Sequence, residues 1–333
     1  VYDWILTMYR GRIRITTPML FHINFLLTFV LGGMTGILLA NPTVDFQVHN
    51  SLFLIAHFHN MIIPGVLFGM FAAVQYWFPK AFGYRLHEGW GKAAFWSLAP
   101  GFLLAFFPLY WLGMNGAPRR TVMWADPAFF PWLALAMLGA VLLLVGTVFL
   151  LVQIGVSIRQ RRQLAVPLGD PWDGRSLEWS IPSPPPAWNF AVVPQVDGRD
   201  AFTEAKKNGQ AYRSPAAYSD IEMPCNSMVA PLIGIFTFTL SFALVWHIWW
   251  LVVVSFILVW GVVIARSFVS QTHEIIPASR VEAENEAFLA AARAAPGVTR
   301  DLEMSPENRG KAAPDRLGQP GQKRPDDVLE SAI

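Results

Sequence analysis

A single cysteine, Cys225, stands in a chain of 333 residues. One thiol builds neither an internal disulfide framework nor a cysteine-rich metal site, and Cys225 reads as structurally incidental. Charge is scarce as well: Asp, Glu, Lys and Arg together make 14% of the residues, against about 25% in soluble globular domains. The deficit is local. Charges collect in short loops and in a long polar tail, while the segments between them hold uncharged runs of about 20 residues, the length of a membrane-crossing helix. These absences exclude an ordinary soluble domain and imply an all-α integral membrane protein, a polytopic helix bundle. The net charge of +2 points to no partner, and nothing calls for nucleic acid. Also lacking are a Met at position 1 and a charged segment followed by a cleavage site. Val1–Tyr9 therefore reads as the end of a helix that begins outside the chain, and the chain as a fragment.

What is present is about six apolar spans. The first four run roughly over Pro18–Ala40, Ser51–Phe78, Ala93–Gly113 and Phe129–Ile158. Residues 163–227 are polar and rich in proline and glycine, which favours an irregular extramembrane loop. The forty apolar residues of Met228–Phe268 suffice for two spans joined by a tight hairpin. Residues 269–333 read as a mostly disordered tail with one short helix around Ala278–Ala295. The expected organisation is a membrane core over 1–162, a loop over 163–227, a hairpin over 228–268 and a tail over 269–333.

Orientation follows the bias of Lys and Arg toward the cytoplasm. The loops holding Arg10, Arg12 and Arg14, and Lys80, Arg85 and Lys92, share one side with Arg159–Arg162 and the tail when every span is crossed in turn. That side is expected to be cytoplasmic. The Asn41–Asn50 loop, with Asp45 and His49 and no Lys or Arg, faces the other side. So does the pair Arg119–Arg120, against the bias.

The strongest chemical signal is His57-Phe58-His59 inside the second span. Residues two apart on a helix differ by about 200°, so the two imidazoles serve different neighbours and cannot share one metal. Ionisable side chains in a span are costly and mark function; the plain alternative is an inter-helix hydrogen bond for each. Neutral imidazole is a common axial ligand of haem iron, and a helix wedged between two haems needs this geometry. Arg119 and Arg120 suit haem propionates, since a guanidinium binds a carboxylate with two donors; the plain reading is a pair of surface arginines. His49, in the same outer loop as Asp45, suits a divalent cation or a propionate, with an interfacial histidine as the alternative. His22, His87, His247 and His273 have no partner motif and read as non-ligands. Gly32, Gly33 and Gly36 form a small-residue face for close helix packing. Pro64 is expected to kink the histidine-bearing helix.

At these residues the sequence resembles subunit I of the haem–copper oxidase superfamily. The matching stretches are GGMTGILLANPTVDFQVHNSLFLIAHFHN (Gly32–Asn60), YWFPKAFG (Tyr76–Gly83), GAPRR (Gly116–Arg120) and DPWDGRSLEWSIPSPPP (Asp170–Pro186). The resemblance implies two haems and a copper ion. It makes His57 the proximal ligand of a high-spin haem where O2 binds, and His59 one axial ligand of a low-spin haem. Phe58 would lie between the haems, Arg119 and Arg120 on propionates, Asp45 near the high-spin propionates, and His49 on a magnesium-type cation. The copper ligands, the second low-spin ligand and the proton-channel residues of the family would lie N-terminal to this chain.

Asn50 in place of an aspartate, and the wording HNSLFLIAHFHN and FALVWHIWWL, resemble the bo-type ubiquinol oxidases. The implied function is a respiratory terminal oxidase in a bacterial-type inner membrane, reducing O2 to water with electrons from ubiquinol and translocating protons. It would work beside subunits of types II, III and IV in the lipid bilayer. Three alternatives stand beside it: a cytochrome c oxidase subunit with the same core, a non-redox transporter using His57 and His59 as a proton relay, and a fragment with no activity of its own.

Overall fold

Long uncharged runs must satisfy their backbone internally, and here they do so as helices. The computed structural model describes residues 1–9, 13–121, 123–124, 126–166, 170–196, 198, 200–208 and 210–294. Arg10 and Arg12 lie outside the described residues, as does the tail from 295 onward.

Among the described residues the first unit comprises those of 1–185 and 197–211. A short helix α1 (Tyr2–Met8) precedes α2 (Thr17–Ala40), which opens with Pro18 in its first turn and the Thr17 N–H bonded to Glu88 Oε1 at 2.8 Å. Asn41 ends α2 and caps a short helix, α3 (Pro42–Val48), by accepting from Thr43 N. Ser51 caps α4 (Leu52–Ile62) in the same way, accepting from Phe53 N at 3.1 Å. The helix then widens into one stretch of π-helix, Ile63–Phe68, before continuing as α5 (Gly69–Phe82). Pro64 has no N–H to give and sits at the start of that stretch, so the expected kink takes the form of a π segment. Two further long helices follow, α6 (Glu88–Met114) and α7 (Phe130–Arg159), and a short one, α8 (Ala201–Lys207).

The core of this unit is aromatic. Phe21 and Phe25 of α2, Phe68 of the π segment, and Phe95 and Phe102 of α6 are buried together, with Phe21 edge-on to Phe95 at 5.3 Å. The loop after α7 folds back under the end of α5. Trp172 Nε1 donates to Tyr76 O at 2.8 Å and its ring stacks on Tyr76. Lys80 Nζ donates to Ile181 O and Pro182 O. The buried Asp170 accepts from Trp172 N, Gly174 N and, at 2.7 Å, Lys206 Nζ.

The second unit comprises 186–196 and 212–294. It contains β1 (Ile221–Pro224), the hairpin of α9 (Val229–Val245) and α10 (Trp249–Ser267), β2 (His273–Ile276) and α11 (Ala278–Ala294). β1 and β2 pair antiparallel, Ile221 opposite Ile276. The hairpin tip turns at His247, which has φ +55.

Among the described residues five helical segments are long and apolar enough to cross a membrane: Thr17–Ala40, Leu52–Phe82, Glu88–Met114, Pro127–Arg159 and Trp249–Ser267. Val229–Val245 is a sixth, shorter apolar helix of 17 residues, at the lower limit for a span. The polytopic all-α architecture stands. The helix expected around Ala278–Ala295 forms as α11, and residues 273–276 ahead of it form a strand that composition did not suggest. There β2 borrows its ladder from β1, Asp220 Oδ1 caps α11 by accepting from Ala278 N at 2.7 Å, and Val281, Leu289 and Ala292 are buried.

Candidate functional site

The two histidines are carried on α4 beside α2 and α6, and each turns to a different neighbour. His57 lies against α2: its Nδ1 is 3.1 Å from Gly32 O and 3.0 Å from Thr35 Oγ1. His59 lies against α6: its ring stacks on Phe106 at 4.5 Å and 17°, and the Phe58 ring lies tilted 4.5 Å from it. His59 Nδ1 bonds to Ile55 O, one turn back on its own helix, at 2.8 Å.

These bonds fix the tautomers. A carbonyl oxygen accepts and cannot donate, so both Nδ1 atoms carry the proton. In the neutral ring the lone pair is then on Nε2. That is the arrangement of a ligating histidine whose far nitrogen is held by an outer partner, which orients the ring and raises its basicity. The donor set fits two metal-bearing groups on two sides of one helix.

Close approach makes this possible. A Cβ on Gly32 would lie 2.7 Å from Asn60 O, and one on Gly36 would lie 2.9 Å from His57 Cε1. Gly33, by contrast, faces open space. The small-residue face expected from the sequence is therefore two residues wide, Gly32 and Gly36.

The arginine pair is fastened to the N-terminal end of the same helix. Arg119 N donates to Asn50 O at 2.9 Å, Leu52 N donates to Ala117 O at 3.0 Å, and Ser51 bridges Pro118. Both Asn50 (φ 57) and Arg120 (φ 64) take left-handed backbone to close this contact. Arg119 is half-buried, and its Nε is enclosed with no partner among the described residues. A buried donor without an acceptor is costly, and an anion at this end of α4 would supply one. Arg120 is exposed.

Asp45 lies half-exposed on α3, and His49 lies exposed just past its end. Asp45 O accepts from His49 Nδ1 at 2.9 Å, leaving His49 Nε2 outward. Among the described residues no three His, Cys, Asp or Glu side chains come together as a metal cluster. His87 caps α6, accepting from Trp90 N, and His22 packs on Phe25.

Sequence reasoning missed Thr35, Tyr110 and Phe106. Tyr110 OH is 3.0 Å from Thr35 Oγ1 and accepts from Asn60 Nδ2 at 3.2 Å. Polar residues inside spans were the available signal, but their partners lie 50 and 75 residues away in sequence.

The sequence profile of the family described as "Cytochrome C and Quinol oxidase polypeptide I" matches residues 1–142. Among curated proteins, the chain is 48% identical over 284 residues to the "Probable cytochrome c oxidase subunit 1" of Bradyrhizobium diazoefficiens, covering 84% of this chain and 43% of that protein. It is 48% identical over 282 residues to the "Cytochrome bo(3) ubiquinol oxidase subunit 1" of Buchnera aphidicola subsp. Baizongia pistaciae, covering 85% and 43%. A third relative, the "Ubiquinol oxidase subunit 1" of Acetobacter aceti, is 48% identical over 291 residues, covering 86% and 44%. The chain thus spans a little under half the length of the curated relatives it matches.

Proposed function

Because the chain belongs to the cytochrome c and quinol oxidase polypeptide I family, we propose that it forms the haem-carrying part of a terminal oxidase catalytic subunit that passes electrons from ubiquinol to O2. The observation that carries this reading is that His57 and His59 each set Nδ1 against a backbone carbonyl, with no hydrogen-bond partner at Nε2 among the described residues, on rings turned to different helices.

Two haems and a copper ion, when bound, supply the electron transfer and the reduction of O2 to water. The residues of this chain hold and orient them. His57 offers Nε2 to the high-spin haem iron and His59 to the low-spin iron. Phe58, between the two histidines in the chain and against the His59 ring, fills the space between the two sites. Arg119, with its enclosed Nε, and Arg120 hold propionates, and Asp45 stands at the same end of the helix. His49 is available to a magnesium-type cation completed by groups from outside this chain. Copper ligands and the second low-spin ligand belong to the rest of the subunit.

Residues 1–162 form the haem-binding core, 163–227 the cytoplasmic loop and 228–268 the added hairpin, with the C-terminal tail cytoplasmic. The complex sits in a bacterial-type inner membrane with subunits of types II, III and IV, and proton translocation accompanies turnover. Ubiquinol is favoured as donor by Asn50 and by the hairpin. The names of the relatives include both donors, so cytochrome c remains the second reading.

The test is turnover by the purified complex containing the full-length subunit. Oxidation of ubiquinol without cytochrome c, with two spectrally distinct haems, is the expected result. Haem-free protein would support the proton-relay reading instead.

A further inference from the structure

His57 is held by more than a backbone carbonyl. Thr35 Oγ1 lies 2.7 Å from Gly32 O, 3.0 Å from His57 Nδ1 and 3.0 Å from Tyr110 OH, and Asn60 Nδ2 lies 3.2 Å from Tyr110 OH. Counting protons gives every bond its direction. Gly32 O only accepts, so Thr35 gives its one hydroxyl proton there. Thr35 must then accept from the Tyr110 O–H, and it shares the one His57 Nδ1–H with Gly32 O. Tyr110, having donated, accepts from the Asn60 amide. Side chains from α2, α4 and α6 thus form one chain of a single polarity that ends on Gly32 O.

The Tyr110 hydroxyl is not needed for packing. Its ring meets Phe53 edge-on at 4.9 Å and Phe107 at 5.9 Å, contacts a phenylalanine would keep. Asn60 is wholly buried and Tyr110 is 9% exposed, where a polar group is costly unless bonded. Two buried polar side chains therefore serve one hydroxyl, and that hydroxyl touches His57.

We infer that Tyr110, braced by Asn60, is a positioning residue for His57 that acts through Thr35, holding the imidazole in one rotation and tautomer and setting the donor strength of Nε2. The inference rests on the reading of His57 as an iron ligand. A hydrogen bond from Nδ1–H raises the basicity of the opposite nitrogen, so the network bears on the iron–histidine bond.

The experiment uses the assembled holoenzyme with the full-length subunit. Resonance Raman of the reduced high-spin haem reads the iron–histidine stretch, and a redox titration reads its midpoint potential. Thr35→Val removes one acceptor and should lower the stretching frequency and raise the potential, while Thr35→Ser stays at the wild-type values. Tyr110→Phe, with wild-type haem content, should displace both readouts. In the combined Thr35→Val, Tyr110→Phe variant no further shift should appear beyond that of Thr35→Val, because Tyr110 acts through Thr35. Wild-type readouts in Tyr110→Phe, or shifts that add in the combined variant, overturn the inference. A His57→Gly control separates the two levels. Its band should vanish and return with added imidazole, whereas a band that persists without imidazole removes the ligand reading itself.

Discussion

The space beside Gly36 is filled by His57: a Cβ at position 36 would lie 2.9 Å from the imidazole Cε1. Four residues earlier, a Cβ on Gly32 would lie 2.7 Å from Asn60 O. α2 thus meets the histidine-bearing helix at backbone distance, and the imidazole takes the place of an α2 side chain. The ring is confined on that side by α2 and tied there by Gly32 O and Thr35.

Alanine substitutions along α2 should therefore differ sharply by position. Gly32→Ala is expected to cost about 1–3 kcal/mol, the usual range for overpacking, since the atom it meets is backbone. Gly36→Ala should displace the His57 ring and alter the high-spin haem spectrum. Gly33→Ala, facing open space, should be neutral or slightly stabilising. Thermal unfolding of the three variants in one detergent checks the order, and equal melting temperatures would contradict it.

Arg119 is held at the end of α4 by its bond to Asn50 O, with Nε enclosed and unpartnered among the described residues. Arg119→Gln should weaken haem retention by about 10- to 100-fold, the equivalent of one charged hydrogen bond. Arg119→Lys should recover part of this, since lysine brings the charge without the planar fork. The rate of haem transfer to a soluble apoprotein acceptor measures it; an unchanged rate in Arg119→Gln would remove Arg119 from the propionate site.

Beneath α5, Lys206 Nζ meets Asp170 at 2.7 Å and Asp173 at 3.0 Å, and the Asp170 side chain is 2% exposed. Removing the cation leaves a buried carboxylate that, among the described residues, accepts from the backbone N–H groups of Trp172 and Gly174. Lys206→Met should cost about 3 kcal/mol, as for a broken buried pair. The loss should show as a lower melting temperature and as proteolysis within 170–185. Resistance equal to wild type would show that the pair contributes nothing there.

In the second unit Glu286 accepts from Tyr218 OH at 2.8 Å and Ser214 Oγ at 2.9 Å, with Arg293 at 3.7 Å. The Tyr218 bond first, then Ser214 and the Arg293 charge, hold its carboxyl below the ordinary value of 4.5. A depressed value means the stabilisation is present above the unfolded pKa and fades as pH falls through the folded one. Hydrogen exchange over 212–220 should thus be flat from pH 7 to 5 and rise below about pH 4, after correction for the intrinsic exchange rate. In Glu286→Gln the low-pH rise should be absent. A rise of the same size in that variant would assign it to another group.

Much of this architecture is written in local pattern. Uncharged runs and their flanking arginines placed the long helices, because in a bilayer a spanning chain has few alternatives. The His57–His59 spacing sent the two rings to different neighbours, because helical periodicity acts over two residues. Tertiary pairing was not legible in that way. Thr35 and Tyr110 look like ordinary span residues until α2 and α6 are brought beside α4. The β1–β2 ladder joins residues 221–224 to 273–276, a pairing no local pattern announces; the helix after it was legible, but the burial of its Val281 and Leu289 was not. Lys206 and Asp170 lie in a polar stretch where only the folded loop shows which charges meet.

Whether the two imidazoles of one helix serve two different irons is decided by low-temperature magnetic circular dichroism of the complex. His59→Ala should remove the low-spin haem signal while the high-spin haem still binds carbon monoxide. His57→Ala should abolish carbon monoxide binding while the low-spin signal stays. Unchanged spectra in both variants, or loss of the same signal from either substitution, would mean that His57 and His59 do not ligate two separate irons.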